Sequence, residues 1–406
     1  MNTSISQTHT APTFDPHPDR GQRVRRDGFL VSLHTRSNTG YAIEPLEKVF
    51  FRVAADLVGD QQLIHFAYRN LDGGWPTTLP SDFRNVTAFD LRTEDPGQLA
   101  ALGAYVRENR ITTVFGFDIP VNLPVYAVLR TNGVRNIISY WGAPMSSIFR
   151  PPRLWLRQLE CLVLRNKPDH YIFESEAMRE SATRGRGLPH RVTSVVPLGV
   201  DTGVFKPSPG DTYAHDAFDI PRDRCLVVYS GHMEPRKGVD VIVRTAVYLV
   251  EELGRRDLHF LLLGNRPGQE EPYKPLYTNS AARGHVTFGG YRRDMPAIFG
   301  SADIGVIAST GWDSFTMSSV EMASSGLPLV VSALQGLKET VVEGKTGYLF
   351  PPGDVADLAQ RLCLLADQPE LRNQLGHAAR TRIVEHMSVD AQVSRLVDTV
   401  RAVMRP

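Results

Sequence analysis

Cysteine is scarce in this sequence. The three copies in 406 residues, Cys161, Cys225 and Cys363, lie far apart in apolar runs. That spacing excludes a disulfide framework and a cysteine metal site, and it fits a reducing cytosol. Charge of one sign is also lacking: 45 Lys and Arg stand against 44 Asp and Glu, a formal net charge of +1. No bulk electrostatic case for nucleic-acid binding remains. No apolar run is long enough to span a bilayer. The opening MNTSISQTHTAPTFDPHPDRGQRVRRDG lacks the apolar core of a secretory signal, so a cytoplasmic location is expected. Residues 1–27, polar, Pro-containing and basic at their end, are expected to form a disordered tail. No His/Cys cluster has zinc spacing, and no D-x-D element follows a strand to hold a metal–diphosphate, so no metal or resident cofactor is expected.

What the chain does have is an ordinary globular composition, 42% hydrophobic and 22% charged, with length enough for two cores. Short apolar runs alternate with amphipathic stretches. Strands are expected at 29–33, 63–67, 86–90, 112–116, 136–140, 170–174 and 192–196, with helices such as Glu44 to Leu57 and Leu99 to Glu108 between them. The alternation restarts after residue 208, with strands at 225–230, 259–264, 285–289, 303–309, 327–332 and 347–350. The clearest helix runs from Val239 to Leu253, with Ile242, Ala246, Leu249, Val250 and Leu253 on one face and Gly254 as its stop. Repeated βα units imply parallel sheets covered on both faces. KPSPGDTYAHDAFDIPRD (206–223) breaks the pattern and reads as a boundary. The expected architecture is α/β: two Rossmann-like domains facing a cleft, where ligands would meet the carboxyl ends of the strands.

Two segments carry chemistry suited to that cleft. SGHMEPRKGVD (230–240) follows a strand and opens a helix. Ser230 and Gly231 allow a close turn, His232 offers a donor, and Arg236 and Lys237 add cations beside free helix N–H groups, a combination suited to a diphosphate. As an isolated motif, the same turn reads more simply as a solvated basic loop. GWDSFTMSSVEMASSGLP (311–328) places Asp313 before a helix and Glu321 inside it, near its buried edge. A buried carboxylate needs donors, and adjacent ribose hydroxyls would serve. The simpler reading is that Asp313 or Ser314 caps the helix and Glu321 has a local partner. EGKTG (343–347) is not a P-loop: Glu339 stands where its first glycine belongs, and a strand follows. GRG (185–187) lacks both a preceding strand and the third glycine of a dinucleotide fingerprint.

Taken in order, VVPLGVDTGVFKP, SGHMEPRKGVD, VTFGGYRRDMPAIFGSADIGVIAS, DSFTMSSVEMASSGLPLVVS and GLKETVVEGKTGYLFPPGD resemble the motif series of the retaining family-4 glycosyltransferases of the GT-B fold. The resemblance runs from about Tyr171 to the C-terminus. It implies residues 28–205 as an acceptor domain, 206–387 as a nucleotide-sugar donor domain, and 388–406 as a helix crossing back to the first domain. It gives Lys237 and Arg236 to the diphosphate, Glu321 to the donor ribose and Asp313 to hydroxyls of the transferred sugar. Gly231 and His232 would lie by the phosphates, and Gly290, Tyr291 and Arg292 near the base. The loop Ser314, Phe315, Thr316, Met317 would line sugar and phosphate through its backbone. Three residues depart from the family pattern: Asp313 replaces Glu and reaches less far, Thr316 replaces Gly, and His232 replaces Arg.

The first half fits more loosely. Asn38, Thr39 and Gly40, in a polar loop after the first strand, and Asp118 and Trp141, at later strand ends, are the acceptor-side candidates. IFRPPRLWLRQLECLVLRNK (148–167) puts Arg150, Arg153 and Arg157 on one helical face. The expectation is a helix packed on the first domain with its polar face solvated, while a weak contact with the inner membrane surface stays open. The whole implies a metal-independent transferase with a nucleotide-sugar donor and an unidentified hydroxyl acceptor. A degenerate sugar-nucleotide-binding scaffold and a GT-B epimerase or phosphorylase are the alternatives.

Overall fold

The computed structural model describes residues 27–40, 43–148 and 151–404. The tail 1–26, Tyr41 and Ala42 of the first loop, and Arg150 lie outside the described residues. Strands β1 (Gly28–Leu33), β2 (Ile64–Tyr68), β3 (Val86–Ala88), β4 (Ile111–Phe117), β5 (Asn136–Trp141), β6 (His170–Phe173) and β7 (Thr193–Val195) form one sheet, ordered β3-β2-β1-β4-β5-β6-β7. Its helices are α1 (Glu44–Val58), α2 (Pro96–Glu108), α3 (Val125–Thr131), α4 (Pro151–Val163) and α5 (Glu176–Glu180). Among the described residues the second sheet has β8 (Cys225–Ser230), β9 (Leu258–Leu263), β10 (Val286–Gly290), β11 (Ile304–Ile307), β12 (Leu329–Ser332) and β13 (Gly347–Phe350), ordered β10-β9-β8-β11-β12-β13. With it run α6 (Tyr213–Ala217), α7 (Val239–Glu251), α8 (Lys274–Tyr277), α9 (Met295–Gly300), α10 (Met317–Ser324), α11 (Val355–Asp367), α12 (Pro369–His386) and α13 (Val389–Val403).

All named strand pairs are parallel. The unbroken apolar runs follow from this, because helices cover both faces: β1, β2 and β9 are buried at every residue. The two α/β sheets expected from the alternation are present.

Two local expectations are corrected. Helix α7 stops at Glu251, so Leu253 does not join its buried face and is 47% exposed. The chain turns back there through Gly254 at φ 65, with the Arg255 N–H bonded to the Leu249 carbonyl at 2.8 Å. Helix α4 reverses the expected orientation. Of its described arginines, Arg157 is half-buried and, with Arg186, pairs with Glu160, while Arg153 stays exposed. Trp155, Leu156, Leu159, Leu162 and Val163 face outward, each more than half exposed.

The apolar core is continuous between the sheets. It runs from Phe50, Phe115 and Tyr140 through Val196, Leu198 and Val200 to Val393, Leu396 and Val400 of α13, and on to Leu226 and Val228. Helix α13 lies against α1, with an exposed Arg52–Asp390 pair at 2.7 Å. Gln392, 2% exposed, is the polar pin of this junction. Its amide oxygen accepts the Gly199 N–H at 3.0 Å, and its NH₂ donates to the Tyr140 hydroxyl at 3.4 Å. Gln392→Leu strands the Gly199 N–H in the core. We expect a loss of about 1–3 kcal/mol in urea unfolding, with the m-value unchanged.

Candidate active site

In each sheet the strand order reverses beside the first strand, between β1 and β4 and between β8 and β11. Parallel sheets bind ligands outside the strand carboxyl ends at that reversal. The loops leaving those four strands therefore define the site.

At the second reversal, β8 runs into a tightly folded turn. His232 is exposed, and its carbonyl accepts the Tyr229 hydroxyl at 2.9 Å. Pro235, Arg236 and Lys237 form a 3₁₀ turn, and Gly238, at φ 67, starts α7. A Cβ on Gly238 would stand 1.8 Å from the Ala308 carbonyl, so only glycine lets the basic turn press onto the end of β11. The N–H groups of Thr310 and Gly311 both donate to the Arg236 carbonyl, at 2.8 and 3.1 Å. The basic turn and the acid loop are thus one structure.

Side chains complete the junction. Asp313 is 4% exposed, and the Lys237 ammonium donates to both its oxygens at 2.9 Å. The Ser309 hydroxyl donates to Oδ2 at 2.5 Å and the Ser314 N–H to Oδ1 at 2.9 Å. The Asp313 N–H bonds the Gln335 side-chain oxygen at 3.1 Å. Arg236 pairs with Glu234 at 2.7 Å, lies over the Trp312 ring at 5.5 Å and stands 3.9 Å from Asp313. Sequence reasoning assigned Lys237 to a diphosphate and Asp313 to a sugar. Here the two hold each other.

Glu321 is buried, 3% exposed, in α10. Thr316, not Asp313 or Ser314, caps that helix: its hydroxyl accepts the Ser319 N–H at 3.4 Å. Thr316 thereby has a local role at the position where the resemblance expects glycine. Phe315, 4% exposed, belongs to the core, which leaves only its backbone for a ligand. Met317 is half-buried beside the cap. At the end of β10, Gly290 adopts φ 76 and its N–H bonds Asn265 at 2.9 Å. Tyr291 is 59% exposed. Arg292 is occupied by Asp294 at 2.8 Å and lies 5.0 Å from the Phe218 ring centroid.

The first unit supplies the opposite wall. Asn38 and Thr39 are used by the scaffold: the Asn38 amide brackets the 73–77 loop through Gly73, Trp75 and Thr77, and the Thr39 hydroxyl bonds the Arg36 carbonyl at 2.5 Å. Gly40, at φ 114, turns the loop in open space. Asp118, directly after β4, is held at φ 52, a left-handed conformation costly for a side-chain-bearing residue. Its carboxylate accepts the Gly142 N–H at 2.9 Å. Trp141 is half-buried at the end of β5.

Sequence reasoning missed Glu174, just past β6. It is 4% exposed and accepts the Tyr140 hydroxyl at 3.2 Å. Gly142 separates the two acids: a Cβ there would be 3.3 Å from Glu174 Oε1. Burial pushes the Asp118 carboxyl up to about 6 and the Glu174 carboxyl well above the usual range, and the Asp118 charge raises Glu174 further. The signal was in HYIFE, an acid closing an otherwise apolar run. The units also touch directly. Ser314 Oγ meets Met178 Sδ at 3.3 Å, and the Glu339 carboxylate accepts the Glu176 and Ala177 N–H groups of α5, both at 2.9 Å. Among the described residues no three His, Cys, Asp or Glu side chains are grouped as a metal site requires.

The two-domain arrangement with a ligand corner at each reversal is the GT-B fold. A crystal structure of a glycosyltransferase from Rickettsia africae has TM-score 0.76 at 13% identity, covering 93% of this chain and 98% of that one. Anabaena Alr3699/HepE in complex with UDP has TM-score 0.73 at 17% identity, covering 92% and 100%. Residues 224–368 match the family described as Glycosyl transferases group 1. The D-inositol 3-phosphate glycosyltransferase of Thermomonospora curvata is 31% identical over 224 residues, 52% of this chain and 51% of that protein. The MMP alpha-(1->4)-mannosyltransferase of Mycolicibacterium hassiacum is 31% identical over 246 residues, 59% and 55%. The chain spans about half the length of the curated relatives it matches.

Two outcomes test this geometry. Lys237→Ala leaves the Asp313 carboxylate buried without its cation and should cost about 3–5 kcal/mol in chemical denaturation. For Asp118 the folded value of about 6 lies above the ordinary 3.8. Its stabilising contribution is full below pH 3.8 and is lost as pH rises toward 6. Asp118→Asn should therefore be more stable than wild type at neutral pH, by up to about 3 kcal/mol, with the gap closing on acidification.

Proposed function

We propose that the chain is a glycosyltransferase of the retaining, family-4 kind. It moves a sugar from a nucleoside-diphosphate donor to a hydroxyl acceptor without a metal, in the cytoplasm. The observation that carries this reading is the joined pair of loops at the second reversal, with Arg236 and Lys237 on one and Asp313 on the other. A diphosphate entering that corner meets two cations and the first N–H groups of α10. It competes with Asp313 for the Lys237 ammonium, and Asp313, as it is released, turns to the hydroxyls of the transferred sugar. Glu321 takes the ribose hydroxyls, and the exposed Tyr291 lies on the base side.

In the reaction the bond from the anomeric carbon to the phosphate oxygen breaks. The acceptor oxygen bonds the same carbon on the same face, and its proton passes to the leaving phosphate oxygen. Lys237 and Arg236 neutralise the charge that collects on the diphosphate. Asp118, Glu174 and Trp141 form the wall that faces the acceptor. The relatives named as glycosyltransferases support the reaction class, and the Anabaena complex with UDP makes uridine the first base to test. The rival reading, a protein that binds a nucleotide sugar without turning it over, draws on the saturated Asp313.

The test is thermal stability with excess UDP, GDP, ADP, dTDP or CMP, without and then with magnesium. A nucleotide at a hundred times its dissociation constant adds about 2.7 kcal/mol. One nucleoside diphosphate should stabilise the protein without metal, and Glu321→Ala should abolish that shift. Stabilisation without transfer from the matching sugar nucleotides to any hydroxyl acceptor favours the binding-only rival. No shift with any nucleotide overturns the donor site.

A further inference from the structure

Helix α4 has its amphipathic faces set the unusual way round. Only Cys161 is fully buried, with Leu154, Arg157 and Leu164 half-buried along the same side. The opposite side carries Trp155, Leu156, Leu159, Leu162 and Val163 at 66%, 69%, 58%, 68% and 71% exposure. Ile148, in the loop before the helix, is also 49% exposed. The helix residues recur at helical spacing, so they form one contiguous band rather than scattered surface contacts.

The charges around the band indicate what covers it. Within α4, Arg157 and Glu160 pair with each other on the inner side, and past the helix Arg165 and Lys167 follow with no acid before Asp169. Beyond Leu162 a hollow of about 230 Å³ is lined by four cations, Arg130, Arg165, Lys167 and Arg191, and one acid, Asp169. Arg130 pairs with Asp169 at 2.7 Å, and Lys167 donates to the Cys161 and Leu164 carbonyls. Arg165 and Arg191 are exposed at the rim. An apolar band rich in Leu and Trp beside a cationic hollow has the two-part chemistry of a phospholipid surface, with acyl chains under the band and phosphate at the hollow. A second copy seated on this face would bring the same cations toward one another.

We propose that α4 docks the protein on an anionic lipid bilayer surface, with its band in the acyl boundary and the Arg165–Arg191 hollow at the headgroups. Residues 142–148 lead from the end of β5 toward α4, so the band belongs to the same unit as Asp118 and Trp141. The surface itself does not depend on the transferase reading.

The experiment is co-sedimentation of the full chain with vesicles of phosphatidylcholine alone and of phosphatidylcholine mixed with phosphatidylglycerol, at low and high salt. The wild type should sediment with the anionic vesicles only, and less at high salt. Leu159→Ser combined with Leu162→Ser, both at exposed positions, should weaken binding roughly tenfold or more, with unchanged circular dichroism and unchanged nucleotide-induced stabilisation. Arg165→Gln with Arg191→Gln should weaken it independently. The proposal is overturned if the wild type stays in the supernatant, if it binds neutral and anionic vesicles equally, or if the leucine variant binds like wild type. It is also overturned if analytical ultracentrifugation finds a dimer that the leucine substitutions dissociate.

Discussion

The ion pair between Lys237 and Asp313 is the constraint on which the corner after β8 and β11 depends. Both groups leave water, and desolvation makes such a pair a poor source of net stability. It persists because each remaining bonding position of the carboxylate is filled, by the Ser309 hydroxyl and the Ser314 N–H. What the arrangement provides is register. The loop after β11 cannot slide relative to the turn after β8 while the pair and the two bonds to the Arg236 carbonyl hold. Lys237 is thereby fixed in place ahead of any anion, and less ordering is left for the moment of binding.

The opposite wall is organised differently. Its acids have few donors, and burial rather than pairing dominates their chemistry. Glu174 lies at one end of a hydrogen-bonded chain that passes through the Tyr140 hydroxyl and the Gln392 amide to the Gly199 backbone. Gly199 belongs to the connection between the sheets, and Gln392 to the helix that crosses back. A buried carboxyl at the cleft is therefore linked through two side chains to the segment about which the units would move. The corner after β8 and β11 relies on charge neutralisation, whereas this wall relies on exclusion of water.

Much of the fold was legible in the sequence. The seven and six strands were visible because a parallel strand buried on both faces is an unbroken apolar run, and the basic turn stood out because it lies between strand and helix. Periodicity finds the two faces of a helix but not which one turns inward, which is why α4 was read the wrong way round. Of the arginines on that face, Arg153 is exposed as expected, whereas Arg157 is half-buried and pairs with Glu160, a partner it shares with Arg186. The Lys237–Asp313 bond could not be read either, since its partners are 76 residues apart. Thr316 stood out only as a departure from the resemblance's glycine, and its hydroxyl caps α10. Glu174 was hidden within a strand assignment, where its charge was the exception that should have prompted a question.

Glu339 has a further consequence. Its carboxylate reaches from the second unit to the start of α5 in the first, and Arg382 holds the neighbouring carbonyls of Glu339 and Thr340 at 2.9 Å. The contact is on the surface, so separating the units exchanges two backbone donors for water at little net cost. A fastening of that kind fixes how the two surfaces meet without contributing much to their association. It is one of several contacts between the units, beside Ser314–Met178 and the Gln392 bonds, and the one that water can most readily replace.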